Sequence, residues 1–157
     1  MVKGLRKILL CIDGEIHSEK AKEFALDLAE KFKAKVVCLY VVDAYPKRFT
    51  NEIYAINREE CRKYLDNTLA ELGQRALSEF SLEAEKREIP YEIKMRFGLP
   101  KEEILKELRE EGYDLLVMGK KKFKGYLDRV RSFNLPQKVL DDIPIPVLFV
   151  VSEVYEQ

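Results

Sequence analysis

The chain carries one histidine, His17, in 157 residues, and no surplus of charge, since 28 basic residues offset 28 acidic ones. A Ser-His-Asp or Cys-His mechanism would rest wholly on that one imidazole, so none is expected. A balanced charge leaves no whole-molecule field to draw the chain toward nucleic acid or an anionic membrane. The three cysteines, Cys11, Cys38 and Cys61, have neither C-x-x-C nor zinc-ligand spacing. Two of them, Cys11 and Cys38, lie inside apolar runs, as buried thiols in a reducing compartment do. Long apolar runs are missing too: Ile8 to Ile12 is far too short for a signal peptide or a membrane span, and a cytoplasmic protein is expected. G-x-G-x-x-G and Walker patterns are also lacking, which removes the main support for the common dinucleotide and P-loop readings.

What is present is an alternation of strand and helix patterns. Ile8 to Ile12, Val36 to Val42, Leu115 to Met118 and Val147 to Val151 are continuous apolar runs of strand length. Strands covered by helices on both faces, as in a parallel sheet, have this composition. Tyr91 to Phe97 is more polar and alternates, as an edge strand would. Between the runs, Ser18 to Phe32 places Ala21, Phe24, Ala25, Leu28, Ala29 and Phe32 at helical spacing, with Ser18 as N-cap and Glu19 in the first turn. A longer helix is expected from about Arg58 to Arg87, despite Gly73, and Pro90 ends it. A third runs from Pro100 to Glu111, with Gly112 as C-cap, and a fourth from Leu135 to Asp142, capped by Asn134. The order β-α-β-α-β-α-β-α-β implies an open parallel sheet with right-handed crossovers, and one domain over residues 1–157.

Such a sheet opens a crevice beyond the carboxyl ends of its first and fourth strands, where the strand order reverses. Asp13, followed by Gly14, leaves the first strand there; its bland role is the turn into the helix, its functional one a carboxylate at the switch point. After the fourth strand come Gly119, Lys120, Lys121, Lys122, Lys124, Gly125, Arg129, Arg131 and Ser132. This segment is either a solvated basic loop or an anion site at a helix N-terminus. Asp141 and Asp142 diverge by about 100° on a helix, which is wrong for a paired acid and base. Tyrosines and phenylalanines are scattered and form no stacking platform, so nucleic acid is not an expected partner.

Together these segments resemble the universal stress proteins. Lys7-Ile-Leu-Leu-Cys-Ile-Asp-Gly-Glu-Ile-His-Ser-Glu-Lys-Ala-Lys-Glu-Phe-Ala is similar to that family's first strand, switch-point aspartate and first helix. Val36-Val-Cys-Leu-Tyr-Val-Val-Asp resembles its second strand. Tyr113-Asp-Leu-Leu-Val-Met-Gly, Lys138-Val-Leu and Pro144-Ile-Pro-Val-Leu-Phe-Val-Val resemble its last two strands and the helix between them. The resemblance implies a three-layer, doubly wound, five-stranded parallel sheet in the order 3-2-1-4-5, flavodoxin- or Rossmann-like and similar to the adenine nucleotide alpha hydrolases. It also implies stress-related roles, a dimer and, in one branch of the family, bound ATP.

In the ATP-binding branch the strand-one aspartate and a backbone group late in strand two hold the nucleoside, which the resemblance transfers to Asp13 and Val41. The phosphates sit on a G-x-x-G-x9-G-[ST] loop. Its first glycine matches Gly119, and its second falls on Lys122. The last pair falls on Ser132-Phe133, or on Phe133-Asn134 if the loop has one extra residue. Side chains at glycine positions bring a Cβ into the space where backbone would meet phosphate and resist positive φ. The expectation is therefore a non-catalytic regulatory homodimer, joined through Val147 to Val151, with an unknown protein partner, no membrane partner and no cofactor. The alternative is an ATP-binding protein, or slow ATPase, that uses magnesium and a rearranged basic loop.

Overall fold

The computed structural model describes residues 4–12, 16–42, 58–121 and 142–152. The elements are β1 (Lys7–Ile12), α1 (Ile16–Phe32), β2 (Lys35–Val42), α2 (Arg58–Lys86), β3 (Tyr91–Phe97), α3 (Pro100–Glu110), β4 (Leu115–Lys121) and β5 (Val147–Ser152). The five strands form one sheet in the order β3-β2-β1-β4-β5, every pairing parallel. This is the α/β sheet implied by the continuous apolar runs.

Alternate residues of each strand serve the two faces. Ile8, Leu10, Ile12, Val36, Cys38, Tyr40 and Val42 pack with α1 and α2 on one side. Leu9, Cys11, Val37, Leu39, Leu116 and Met118 pack with Ile104, Leu105 and Leu108 of α3 on the other. A strand buried on both faces has no use for polar residues, which is why β1 and β2 read as unbroken apolar runs. Cys11 and Cys38 are free buried thiols on opposite faces.

Several boundaries differ from expectation. α1 begins at Ile16, so Ser18 lies inside the helix and is buried rather than serving as N-cap. Its inward surface is made by Leu26 and by Ala21, Ala25 and Ala29, and the small side chains of these alanines let the helix sit close to the sheet. Phe24 and Phe32, expected on that surface, are 48% and 51% exposed and follow one flank with the half-buried Leu28. β4 continues to Lys121 because Lys120 and Lys121 pair with Val151 and Ser152. In α3, Pro100 occupies the first turn as expected, but the C-cap is Glu111, with Gly112 one residue beyond. Of the expected fourth helix, residues 135–141 lie outside the described residues, and Asp142 is in a turn.

α1 and α2 end alike. Lys33 and Glu88 both adopt φ 55°, and the amides of Ala34 and Ile89 donate to the carbonyls of Ala29 and Ala84 at 2.9 Å. These are Schellman closures with non-glycine residues in the left-handed position, each followed by a buried apolar residue. Gly73 of α2 has a different role. A Cβ there would stand 2.7 Å from the Tyr40 ring and 2.8 Å from Met95 Cε, so the bare backbone allows the helix to rest directly on the sheet.

Candidate functional site

The strand order reverses between β1 and β4: the chain leaves β1 for β2 on one side, whereas β5 lies beyond β4 on the other. Strand order alone puts the crevice expected at such a point at the carboxyl end of β1. Ile12 is level with Tyr40 of β2, and Cys11 is level with Met118 of β4. Gly119, the next residue, therefore stands at the height of Ile12, and it pairs with Val150. Val41 lies one residue past Tyr40, opposite Arg96 of β3, with its half-buried side chain on the α3 face. The fold thus brings Val41 and Gly119 to the same end of the sheet, two strand spacings or about 10 Å apart across the end of β1. Val41 is beyond the last β1–β2 pair, so its β1-facing side has no strand partner among the described pairings. Asp13, Lys122, Ser132 and Asn134 lie outside the described residues.

The described residues supply little reactive chemistry around this crevice. Burial pushes the Cys11 and Cys38 thiols far above their ordinary range, and the charge of Glu107 adds to the effect on Cys11, so neither is a ready thiolate nucleophile. No group of three or more His, Cys, Asp or Glu side chains that could hold a metal ion occurs among the described residues.

A cluster of charged groups, absent from the sequence reading, lies between α3 and the β3 edge of the sheet. Glu107, 1% exposed, accepts hydrogen bonds from Lys94 at 2.9 Å, Arg96 at 3.0 Å and the Tyr113 hydroxyl at 2.6 Å. Burial alone would raise its pKa, but the Tyr113, Lys94 and Arg96 hydrogen bonds outweigh this and hold the carboxyl below its usual range. Glu111 receives Lys7 and Lys94, each at 2.8 Å, and those bonds lower it to about 2. Arg96 also reaches Glu103 and Glu110. Each charge has opposite partners, so the cluster ties α3 to β3 and to the start of β1. Two sequence signals could have found it: Lys94 and Arg96 on one face of a strand, and Glu103, Glu107 and Glu111 at four-residue steps along α3 and its cap.

The two ends of the sheet contrast with this. β3 bears Glu92, Lys94 and Arg96, whereas β5 reads Val-Leu-Phe-Val-Val-Ser. Its Val147 to Val150 are half-buried, and Val151 is 51% exposed.

The universal stress protein family model matches residues 4–151, from before β1 to all but the last residue of β5. The chain belongs to the universal stress protein family. A universal stress protein of Methanocaldococcus jannaschii is 30% identical over 145 residues, covering 92% of this chain and 81% of that relative. Among solved structures, the universal stress protein UspA of Lactobacillus plantarum matches with a TM-score of 0.76 at 18% identity, over 95% of this chain and 99% of that one. A universal stress protein family member of Arabidopsis thaliana, solved with AMP bound, matches with a TM-score of 0.64 at 16% identity, over 93% and 91% of the two chains. These structural likenesses, at such identities, establish the fold of this universal stress protein. No helix among its described residues is long and apolar enough to cross a membrane.

Proposed function

We propose that this universal stress protein is a non-catalytic regulatory homodimer of the cytoplasm, one domain over residues 1–157, joined through β5 and without tight ATP binding. The observation that carries the reading is the uncharged edge at β5. An apolar strand at the end of a sheet offers unpaired amides and carbonyls to a second chain, and native monomers protect such edges with charge. Val147 to Val151 are all apolar, so antiparallel pairing of two copies sets apolar against apolar on both faces. The sequence of the basic segment supports the rest: Lys122 stands where the ATP-binding pattern has glycine, and Phe133 occupies one position of the final glycine pair under either alignment. Light scattering after size exclusion is expected to give twice the chain mass at micromolar concentration. Calorimetric titration with ATP or AMP and magnesium is expected to show no binding, and micromolar affinity would refute that part of the reading.

A second reading has a specific observation behind it. Val41 and Gly119 lie at the same sheet end, beside the crevice, and the Arabidopsis family member of the same fold carries AMP. In that reading Asp13, Val41 and Gly119 hold an adenine nucleotide, with Lys122, Ser132 and Asn134 near its phosphates. It requires that Asp13→Ala lower nucleotide affinity at least tenfold. No general base for hydrolysis is nominated in either reading.

A further inference from the structure

The β5 reading leaves a shortfall in contact area. Six residues at about 3.3 Å each, in a layer about 10 Å deep, cover roughly 200 Å² per copy, whereas a stable interface buries about 800 Å² per copy. The contact must extend into the helical layers above or below the sheet. On one face the layer nearest β5 is α1, which packs across β1, β4 and β5.

The two flanks of α1 have opposite character. Arg87, just past the end of α2, donates to Asp27 and Glu30 at 2.6 Å, so the acidic flank of α1 faces α2 and the β3 end of the sheet. The opposite flank faces the β5 end and carries Phe24, Leu28 and Phe32 at four-residue steps, a stripe about 12 Å long. Leu28 packs against the same core as Leu148 and Val150 of β5. Phe24 and Phe32, by contrast, leave about half their surface in water, although large aromatics ordinarily contribute most when buried.

We infer that Phe24, Leu28 and Phe32 form a second contact layer with a second copy of this chain, beside the β5 strand pair. The inference rests on the β5 homodimer reading and deepens it. Pairing β5 with its partner by a two-fold axis through the sheet puts the two α1 helices on the same face, antiparallel. Strands spaced about 4.8 Å apart leave the α1 axes, each centred over β4, about 14 Å apart. Helices in direct contact stand 8–10 Å apart, so the gap calls for large side chains from both flanks. Phenylalanine meets that need, and the stripe is continuous with the apolar edge below it.

The test is the dimer dissociation constant of the full chain, from sedimentation over a concentration series. Phe24→Glu with Phe32→Glu is expected to weaken the dimer at least thirtyfold. Circular dichroism and the melting midpoint of the diluted monomer should stay unchanged, because both positions are already exposed. The milder pair Phe24→Ala with Phe32→Ala is expected to weaken the dimer in the same direction, and Leu72→Glu on α2 is expected to leave it intact. If both phenylalanine pairs dimerise as tightly as the wild type while Val151→Lys gives monomer, the stripe inference fails and the β5 reading survives. If the wild type is monomeric throughout, or Val151→Lys leaves the dimer intact, the β5 reading fails and the stripe inference with it.

Discussion

β3 and β5 close the two ends of one sheet, yet β3 carries Glu92, Lys94 and Arg96 in seven residues and β5 carries no charge in six. On β3 the two cations point inward under α3, where Glu103, Glu107, Glu110 and Glu111 neutralise them. Inward-pointing charge is a recognised defence of a sheet edge, because an added strand would have to accommodate it. β5 has no such defence and has an aromatic flank beside it. The difference teaches that one architecture can guard one edge and expose the other using only the side chains of the edge strands and the helix flanks next to them.

The largest expected effect removes the support of the guarded end. Glu107→Ala leaves Lys94 and Arg96 without their central acceptor in a buried site, and urea unfolding should show a loss of about 3 kcal/mol. Full stability after this change would mean that the cluster is ornamental. The same cluster sets an acid limit. Glu111 is held at about 2 against an ordinary 4.5, so its contribution is complete above pH 4.5 and disappears as pH falls toward 2. Melting midpoints across that interval should fall less steeply for Glu111→Gln than for the wild type.

Next in size is the direct contrast between the ends. Val151→Lys should weaken the dimer by about a hundredfold, whereas Ile93→Lys on β3, also exposed, should leave the dissociation constant unchanged in sedimentation. Equal effects at the two positions would erase the distinction. A smaller change weakens the β3 side without touching β5. Gly73→Ala drives a Cβ into Tyr40 and Met95, and overpacking less the helix-propensity gain gives a net loss of about 1–2 kcal/mol in chemical denaturation. The smallest effect is a gain: Glu88→Gly relieves a left-handed residue at the end of α2 and should add about 0.5–1 kcal/mol with the dimer unaltered.

The sheet was readable from the chain because strands covered on both sides must be apolar throughout, and β1, β2, β4 and β5 each announce themselves by that. The edge position of β3 was readable from its alternation. What pattern alone did not reveal depends on distant partners. The lysines after Met118 have the composition of a loop, and only pairing with Val151 and Ser152 makes Lys120 and Lys121 part of β4. Helical spacing in α1 identified apolar positions but could not tell a stripe beneath the helix from one along its flank; the alanines decided that by letting α1 settle on them. For the Glu107 cluster the spacing of the cations on β3 and of the carboxylates along α3 was visible, but no local rule joins those two sets to each other or to Lys7 at the start of β1. For the crevice, strand order alone implied its place, and Gly119 lies beside it. Val41 entered only through family resemblance, and the register then set it at the same end of the sheet.

The most direct test is amide hydrogen exchange of peptides spanning residues 91–97 and 147–152, followed as protein concentration is raised. Protection of 147–152 should climb with concentration while that of 91–97 stays flat. Exchange in 147–152 that ignores concentration, or protection that grows at 91–97 instead, would contradict the assignment of β5 as the meeting edge.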